Sequence, residues 1–223
     1  MKRPNLTRCG RPAVTVCAVL LLAGCGQSQP IEFLFEPVGS DGEEYTGGGS
    51  FSRDPWQCVR DLRTSLVWEV KTREPGLHHA DHTYTWHFSD DSGVYNRGDP
   101  GRQDGGECTG SACDTQAYVE AVNEQGLCGH HDWRLPTKEE LGSLVDPRIR
   151  PPGPTLDIRY FPHMKSAEYW TSTTYAYHAP TAWVWGFEHG LDRVDYKHEP
   201  KHIMLVRGEV ELKDLPKSPR QRR

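Results

Sequence analysis

The acidic side chains between residues 90 and 107 have the chemistry to bind a hard cation. Ca²⁺ prefers about six to eight oxygen ligands, and aspartate carboxylates supply many of them in proteins. The spacing of these residues differs from that of an EF-hand loop. We interpret them as solvated carboxylates of a long loop and predict neither a metal site nor another cofactor. If the loop did bind calcium, the ligands would be Asp90, Asp91, Asp99 and Asp104.

A group of histidines offers imidazole nitrogens that suit a transition metal. His78, His79 and His82 lie close together, with Asp81 as an oxygen donor between them. His78 and His82 would share one face only on a helix. The Pro75-Gly76 pair just before them favours a loop. We therefore predict no metal site here.

Aromatic side chains are concentrated between residues 169 and 187. Trp183 and Trp185 alternate along a short apolar run, so we predict that both are core residues of a strand. Tyr175, Tyr177 and His178 fall in the apparent loop between two strands, where side chains reach solvent. Exposed aromatic faces can stack on apolar faces of sugar rings. These three residues are the candidate binding residues.

The cysteines indicate two disulfides. Of seven cysteines, two fall in the N-terminal segment and a third is Cys25. The remaining four form an even set, which in an exported chain allows three connectivities. Cys108 and Cys113 flank a short stretch containing Gly and Ser that suits a tight local loop, and this leaves Cys58 and Cys128 for a long bridge. A structural zinc site usually has two pairs of closely spaced cysteines. The four cysteines here are not spaced in that way, so a zinc site is disfavoured.

The first 24 residues have the form of a signal peptide. A basic start precedes an apolar stretch from Ala13 to Gly24, which is too short to span a bilayer. Leu22-Ala23-Gly24-Cys25 has the form of a bacterial lipobox, which implies cleavage before Cys25 and lipidation of its thiol and amino group. Several acyl chains on one residue make a firm membrane anchor. Gln27, two positions after Cys25, is not acidic and so does not provide an acidic retention signal. We therefore predict an outer-membrane lipoprotein facing the periplasm or the cell surface.

The charge of the chain argues against nucleic acid as a partner. The full chain has 26 basic and 31 acidic residues. Cleavage before Cys25 removes four basic residues and no acidic one, which leaves 22 basic residues and a formal net charge of −9. A general nucleic-acid binder needs the opposite sign. The one basic cluster lies in the last residues of the chain.

Composition divides the mature chain into three parts. Residues 25–55 are rich in Gly, Ser and acidic residues, and we predict a flexible tether there. The apolar run of residues 31–35 is the exception, and we expect it to form a short strand or to lie against the domain. Residues 56–208 have the length and apolar content of one domain. Residues 209–223 are predicted to form a basic, disordered tail.

Two short helices are expected inside the domain. Trp133-Arg134-Leu135-Pro136-Thr137 predicts a folding corner, because Pro136 favours extended backbone before it and Thr137 suits a helix N-cap. Glu140 three residues later completes the pattern of a capping box. The other helix is predicted over residues 116–124, with Asp114 as N-cap and Gly126 at its C-terminal end.

Alternating apolar residues predict several short strands. They are expected over residues 65–71, 83–88, 169–174, 182–187, 193–197 and 202–207. Two short helices, a small antiparallel sheet, long loops and two disulfides together predict an α+β fold.

Short motifs that follow one another in a characteristic order carry a family resemblance. They are Cys58-Val59-Arg60-Asp61, Leu66-Val67-Trp68-Glu69-Val70-Lys71, Asp114-Thr115-Gln116, Asp132-Trp133-Arg134-Leu135-Pro136-Thr137, Tyr169-Trp170-Thr171-Ser172 and Leu205-Val206-Arg207-Gly208. Together they resemble the Lcl C-terminal domain family, a domain of unknown function. The resemblance covers nearly all of residues 56–208.

The resemblance implies a C-type-lectin-like fold, in which the first and last strands pair and long loops hang from one side of a small sheet. Residues 66–71 are then expected to pair with residues 202–207. Many sugar-binding members of this fold carry Glu-Pro-Asn or Gln-Pro-Asp tripeptides, which are absent here. Glu199-Pro200-Lys201 is the nearest sequence, and lysine cannot ligate calcium. Relatives include an adhesin domain that engages glycans, and the wider fold includes formylglycine-generating enzymes.

The combined expectation is an exported lipoprotein whose domain binds a glycan or a protein at the cell envelope. One alternative is a structural component of an envelope complex. A divergent formylglycine-generating-type enzyme is another, but it would need reactive cysteines in a cleft. We assign no catalytic residue and predict that the protein is not an enzyme.

Overall fold

The computed structural model describes residues 34–47, 49–89 and 96–215. The predicted signal peptide, Cys25, Asp90, Asp91 and the last eight residues of the predicted tail lie outside the described residues. Within the described part of the chain, no helix has the length and apolar character needed to cross a bilayer.

Seven strands and two α-helices make up the regular structure of the described residues. They are β1 (Phe35–Val38), β2 (Cys58–Asp61), β3 (Val67–Glu69), α1 (Thr115–Gln125), α2 (Lys138–Ser143), β4 (Glu168–Thr174), β5 (Thr181–Gly186), β6 (Leu191–Tyr196) and β7 (Val206–Arg207), with a 3₁₀ turn at Leu127–Gly129. This is the small α+β architecture that the sequence predicted.

The strands form two antiparallel sheets where a single one was expected. The first has the order β1-β2-β3-β7, and the second has the order β4-β5-β6. In the first sheet β3 pairs with β7, and Trp68 lies opposite Val206. The pairing of residues 66–71 with 202–207 is therefore confirmed. The two sheets do not join into one, because no continuous ladder connects their strands. Only isolated bridges do so, such as the one between Tyr169 of β4 and His202 before β7.

The first sheet begins well inside the predicted tether. β1 pairs with β2 over four residues, and Phe35 and Val38 are buried. The Phe35 ring packs 5.4 Å from the ring of Phe161. Farther along, Phe51 packs 5.0 Å from Trp56. The short strand expected at the end of the 31–35 run thus begins at Phe35. The glycine-rich part that follows, predicted to be flexible, also contacts the domain, because Tyr45 and Phe51 pack against Trp56.

The strand expected over residues 83–88 is replaced by isolated bridges. Thr83, Tyr84, Thr85 and His87 each bridge a different segment, so no continuous ladder forms. The alternation that suggested a strand is nevertheless real, because the side chains of Tyr84 and Trp86 are fully buried. The segment crosses the core in extended form.

The caps predicted for both helices are present, and α1 extends one residue beyond the predicted range at each end. Asp114 Oδ1 accepts a hydrogen bond from the backbone N–H of Ala117 at 2.9 Å, and Gly126 ends α1 with φ of 76°. Only glycine adopts that left-handed conformation without a steric cost. Thr137 and Glu140 form the complete capping box of α2.

The corner before α2 is held by a fork of hydrogen bonds. Arg134 donates to both carboxylate oxygens of Glu140 at 2.7 and 2.8 Å and to the backbone oxygen of Gly208 at 2.8 Å. Trp133 is buried beside it and donates from Nε1 to the backbone oxygen of Leu127. The predicted structural role of this motif agrees with these contacts.

The two disulfides connect Cys58 to Cys128 and Cys108 to Cys113. The first joins β2 to the 3₁₀ turn after α1, and both of its cysteines are buried in the main core. The core around it is built on large aromatic side chains, among them Tyr84, Trp86, Tyr118, Trp133 and Trp170.

Candidate binding surface

The predicted binding residues lie together at one end of the second sheet. Tyr177 is 88% exposed, His178 is exposed and Tyr175 is half-buried in the loop between β4 and β5. The Tyr175 ring lies 5.5 Å from the ring of Tyr177 and 5.7 Å from that of Trp183, in tilted, edge-on arrangements. Three aromatic rings thus form a row from the loop onto strand β5.

Trp183 is only half-buried, and its predicted place in the core is wrong. Trp185 points to the same face of β5 and is buried, because α2 packs against it and its Nε1 donates to the backbone oxygen of Lys138. Gly142 allows this contact, since a Cβ there would overlap the Trp185 ring. The six residues of α2 are too few to cover Trp183 as well.

Lys138, at the start of α2, lies over the half-buried Trp183. The Lys138 ammonium is 4.5 Å from the centre of the Trp183 ring and 3.5 Å from the Asp192 carboxylate. A cation at this distance from an indole ring is attracted to its electron-rich face. The row of rings therefore ends in a charged, hydrogen-bonding pair.

More aromatic residues extend this area onto β6. Tyr196 is 49% exposed and lies opposite Thr181, on the face that carries Trp183. Its ring is 5.8 Å from that of His178. We call this area the aromatic surface, defined by Tyr175, Tyr177, His178, Trp183 and Tyr196. It combines flat apolar rings with polar atoms at its edges.

The calcium candidates in the described part of the long loop hold backbone turns. Asp99 Oδ1 accepts from the backbone N–H of Gly101, and Asp104 Oδ1 accepts from that of Cys113, each at 2.8 Å. Asp90 and Asp91 are not among the described residues. Within the described ranges, no group of three or more His, Cys, Asp or Glu residues is arranged to hold a metal ion.

A lysine ammonium occupies the inside of the same loop. The buried Lys197 donates to the backbone oxygens of Asn96 and Asp99 at 3.0 and 2.5 Å and lies 4.1 Å from the centre of the Trp86 ring. Burial lowers the pKa of Lys197 to about 8, although the Asp99 carboxylate opposes this shift. The carbonyl groups that gather here thus already hold a cation that belongs to the chain.

Sequence reasoning missed a buried polar cluster behind β3. The Glu69 carboxylate is fully buried, and its Oε1 accepts from Lys71 and His78 at 2.8 Å each and from the Tyr118 hydroxyl. Its Oε2 accepts from the backbone N–H of Leu205 at 3.0 Å. No local sequence signal marked this cluster, because its burial depends on α1, whose Tyr118 side chain packs over Glu69 and Lys71.

The charge states of this cluster suit a structural role. Burial alone would raise the pKa of Glu69, but the Lys71 ammonium and the His78 ring overcome it and lower that pKa to about 2. Burial raises the pKa of Tyr118 well above its usual value, and the nearby carboxylate adds to the shift. A permanently ionised carboxylate and a permanently protonated phenol do not exchange protons near neutral pH.

The cluster predicts a loss of stability in acid. The pKa of Glu69 is lower in the folded protein, about 2 against 4.5, so its stabilising contribution is complete above pH 4.5 and disappears as the pH falls towards 2. We expect the free energy of unfolding to fall by up to about 3 kcal/mol from this group. Urea unfolding between pH 6 and 2 measures it, and Glu69→Gln should flatten the curve. An unchanged pH dependence in this variant would contradict the assignment.

Two antiparallel sheets, two capped helices and two disulfides define the class of this protein as a small disulfide-bonded α+β domain. The sequence model of the Lcl C-terminal domain matches residues 57–207, which is well over half of the chain. The chain therefore belongs to the Lcl C-terminal domain family, as its motifs predicted. No curated protein and no solved structure matches it.

Proposed function

We propose that the protein is an exported lipoprotein that binds a glycan at the cell envelope through the aromatic surface, without catalysing a reaction. Cys25 would carry the lipid, and the outer membrane would be its location. The observation that carries the binding role is the row of rings formed by the exposed Tyr177 and the half-buried Tyr175 and Trp183. A lone exposed aromatic residue needs no explanation, whereas a contiguous group at a loop end is typical of a recognition site.

A glycan suits this surface because sugars present both apolar and polar faces. The rings of Tyr177 and Trp183 offer area for the CH-bearing face of a pyranose. Lys138 and Asp192 at the edge supply a donor and an acceptor for hydroxyl groups. Few rotatable bonds in the aromatic side chains keep the entropic cost of binding low.

The proposal extends to the fold. A C-type-lectin-like arrangement is supported by the pairing of β3 with β7 and by the long loops between α2 and β4 and around Lys197. The Lys197 ammonium in the loop favours calcium-independent binding, because the backbone oxygens of Asn96 and Asp99 are already engaged by it.

Substitution of the exposed rings tests the binding role. A glycan array with and without calcium identifies a ligand, and calorimetry then measures its Kd. We expect Tyr177→Ala and Trp183→Ala each to weaken binding about fivefold, since an aromatic contact contributes roughly 1 kcal/mol. Tyr45→Ala is the matched control, because this tyrosine is partly exposed but packs against Trp56 in a different part of the domain.

The two results separate the proposal from its alternative. If Tyr177→Ala and Trp183→Ala bind the glycan as tightly as the wild-type protein does, the aromatic surface is not the site. If no glycan on the array binds and an envelope protein co-purifies instead, the protein is a structural component of an envelope complex.

A further inference from the structure

Three turns of the domain share one sequence pattern, in which a single apolar residue separates an aspartate from an arginine. In each turn the aspartate accepts from the backbone N–H of the arginine at 2.9–3.0 Å. The guanidinium group donates to both oxygens of the same carboxylate. The apolar residue in the middle is exposed every time. The turns are Asp61-Leu62-Arg63, Asp146-Pro147-Arg148 and Asp157-Ile158-Arg159.

A row of side chains joins the first turn to the third. The Arg63 guanidinium lies 5.8 Å from the centre of the Phe35 ring. That ring lies 5.5 Å from the ring of Tyr160, and the Arg159 guanidinium lies 5.9 Å from the Tyr160 ring on its other side of the row. Two turns that are distant in sequence are therefore neighbours in the fold.

The second turn belongs to the same surface. Arg63 Nη2 donates to the backbone oxygen of Ser143 at 3.2 Å, at the end of α2 and three residues before the second turn. The second and third turns together line a groove of about 480 Å³. Leu34 adjoins the first turn, because its backbone oxygen accepts from the N–H of Leu62 at 3.0 Å. We call this area the turn face, defined by the three turns and Leu34.

The turn face presents apolar side chains to solvent. Leu34, Leu62 and Ile158 are 44%, 43% and 54% exposed. Single exposed apolar residues are common, whereas several on one surface mark an interaction site with a protein or a membrane. The partner of this face therefore has an apolar component.

The charged groups of the turn face are arranged with the guanidinium groups outward. The Arg148 and Arg159 side chains are 57% and 78% exposed, but the carboxylates that they bind are only 6% and 9% exposed. Each pair is neutral. The exposed Glu36 and Glu188 in adjacent segments offset the exposed Arg150, so net positive charge does not drive binding here. The outward guanidinium groups instead supply hydrogen-bond donors beside the apolar side chains.

We propose that the turn face rests on the phospholipid bilayer that holds the lipid on Cys25. The apolar side chains would enter the boundary between headgroups and acyl chains, and the guanidinium groups would donate to lipid phosphates at that level. Leu34 follows Cys25 by only nine positions, so the anchor holds this face near the membrane. A weak contact is then sufficient, because the anchor raises its effective concentration. This inference rests on the proposed lipidation of Cys25.

The aromatic surface lies at the opposite end of β5 from the turn face. Gly153, between the second and third turns, donates to the backbone oxygen of Glu188 at 2.7 Å, in the hairpin that follows the last residue of β5. Tyr177 lies in the loop before the first residue of β5. Its exposed ring is therefore a matched control for the apolar side chains of the turn face.

A paramagnetic lipid tests the contact. The protein without residues 1–24, which retains every described residue, is ¹⁵N-labelled and coupled through the Cys25 thiol to a maleimide lipid in a phosphatidylcholine nanodisc. The other four cysteines of this chain are paired in disulfides, so coupling occurs only at Cys25. A nitroxide on the lipid headgroup should broaden the amide signals of Leu62 and Ile158 strongly and that of Tyr177 little.

Substitution of the apolar side chains locates the contact. The double variant Leu62→Gln, Ile158→Gln should lower the equilibrium constant for contact at least about tenfold, since burial of these side chains supplies most of the attraction. Tyr177→Gln should leave the broadening at positions 62 and 158 unchanged. Coupling replaces the natural lipid, and mass spectrometry of the protein isolated from membranes determines whether Cys25 carries one. Failure of the proposed anchor is thus distinguished from failure of the contact.

Three outcomes would overturn the proposal. Equal broadening at Leu62, Ile158 and Tyr177 would show that no face of the domain prefers the bilayer. Unchanged broadening in the double variant would show that the apolar side chains do not make the contact. Phosphatidylglycerol should give nearly the same result as phosphatidylcholine, and a contact that needs the anionic lipid would show binding by charge alone.

Discussion

Replacement of Lys71 by methionine is expected to destabilise the protein by about 3–5 kcal/mol. The substitution keeps the apolar length of the side chain but removes the ammonium that lies 2.8 Å from the buried Glu69 carboxylate. An ionised carboxylate without its main cation is costly in an apolar interior, and its protonation has a cost of its own at neutral pH. Chemical unfolding followed by circular dichroism measures the loss.

Two further variants test the reason for this effect. Arg73→Met is the matched control, because Arg73 lies two residues along the chain, is exposed, and should change stability by less than about 0.5 kcal/mol. Glu69→Gln should be less harmful in the Lys71→Met background than in the wild-type protein, since the unpaired charge is then gone. Additive effects of the two substitutions would contradict a coupled ion pair.

The disulfide between Cys58 and Cys128 is expected to contribute about 4 kcal/mol to stability. It closes a chain segment with a sequence separation of 70, so its loss frees a large loop in the unfolded chain. The Cys108–Cys113 disulfide spans a separation of only 5 and should contribute about 2 kcal/mol. Double alanine variants of each pair, unfolded in guanidinium chloride, measure the two contributions.

Which disulfide contributes more to stability is the result that tests the loop-closure argument. A larger loss for the local pair would mean that native-state packing at Cys113, and not loop closure, dominates the stabilisation. An equal loss for both would show residual structure in the unfolded chain between Cys58 and Cys128.

Features that depend on neighbouring residues in sequence were predicted well. The caps of both helices could be assigned from Asp114, Gly126, Thr137 and Glu140, because a cap is a contact between residues three or four positions apart. The disulfide pairs followed from the short interval between Cys108 and Cys113. The pairing of residues 66–71 with residues 202–207 came from the family resemblance, which carries information that single residues do not.

Features that depend on long-range packing were missed or misplaced. Two Trp residues on one face of β5 have the same local pattern, and only the length of α2 decides that Trp185 is buried and Trp183 is half-exposed. Glu69 and Lys71 resemble the solvent side of an amphipathic strand until the packing of Tyr118 from α1 against them is known. The glycines after β1 concealed that Tyr45 and Phe51 pack against Trp56.

The early start of the first sheet sets a limit on where the proposed lipoprotein can act. Phe35 follows Cys25 by ten positions, and a fully extended chain of that length measures at most about 35 Å. A tether reaching to residue 55 would have allowed roughly 100 Å. The end of the domain that contains Phe35 would therefore stay within about 35 Å of the bilayer, and only surfaces on the far side of the domain could reach beyond that distance.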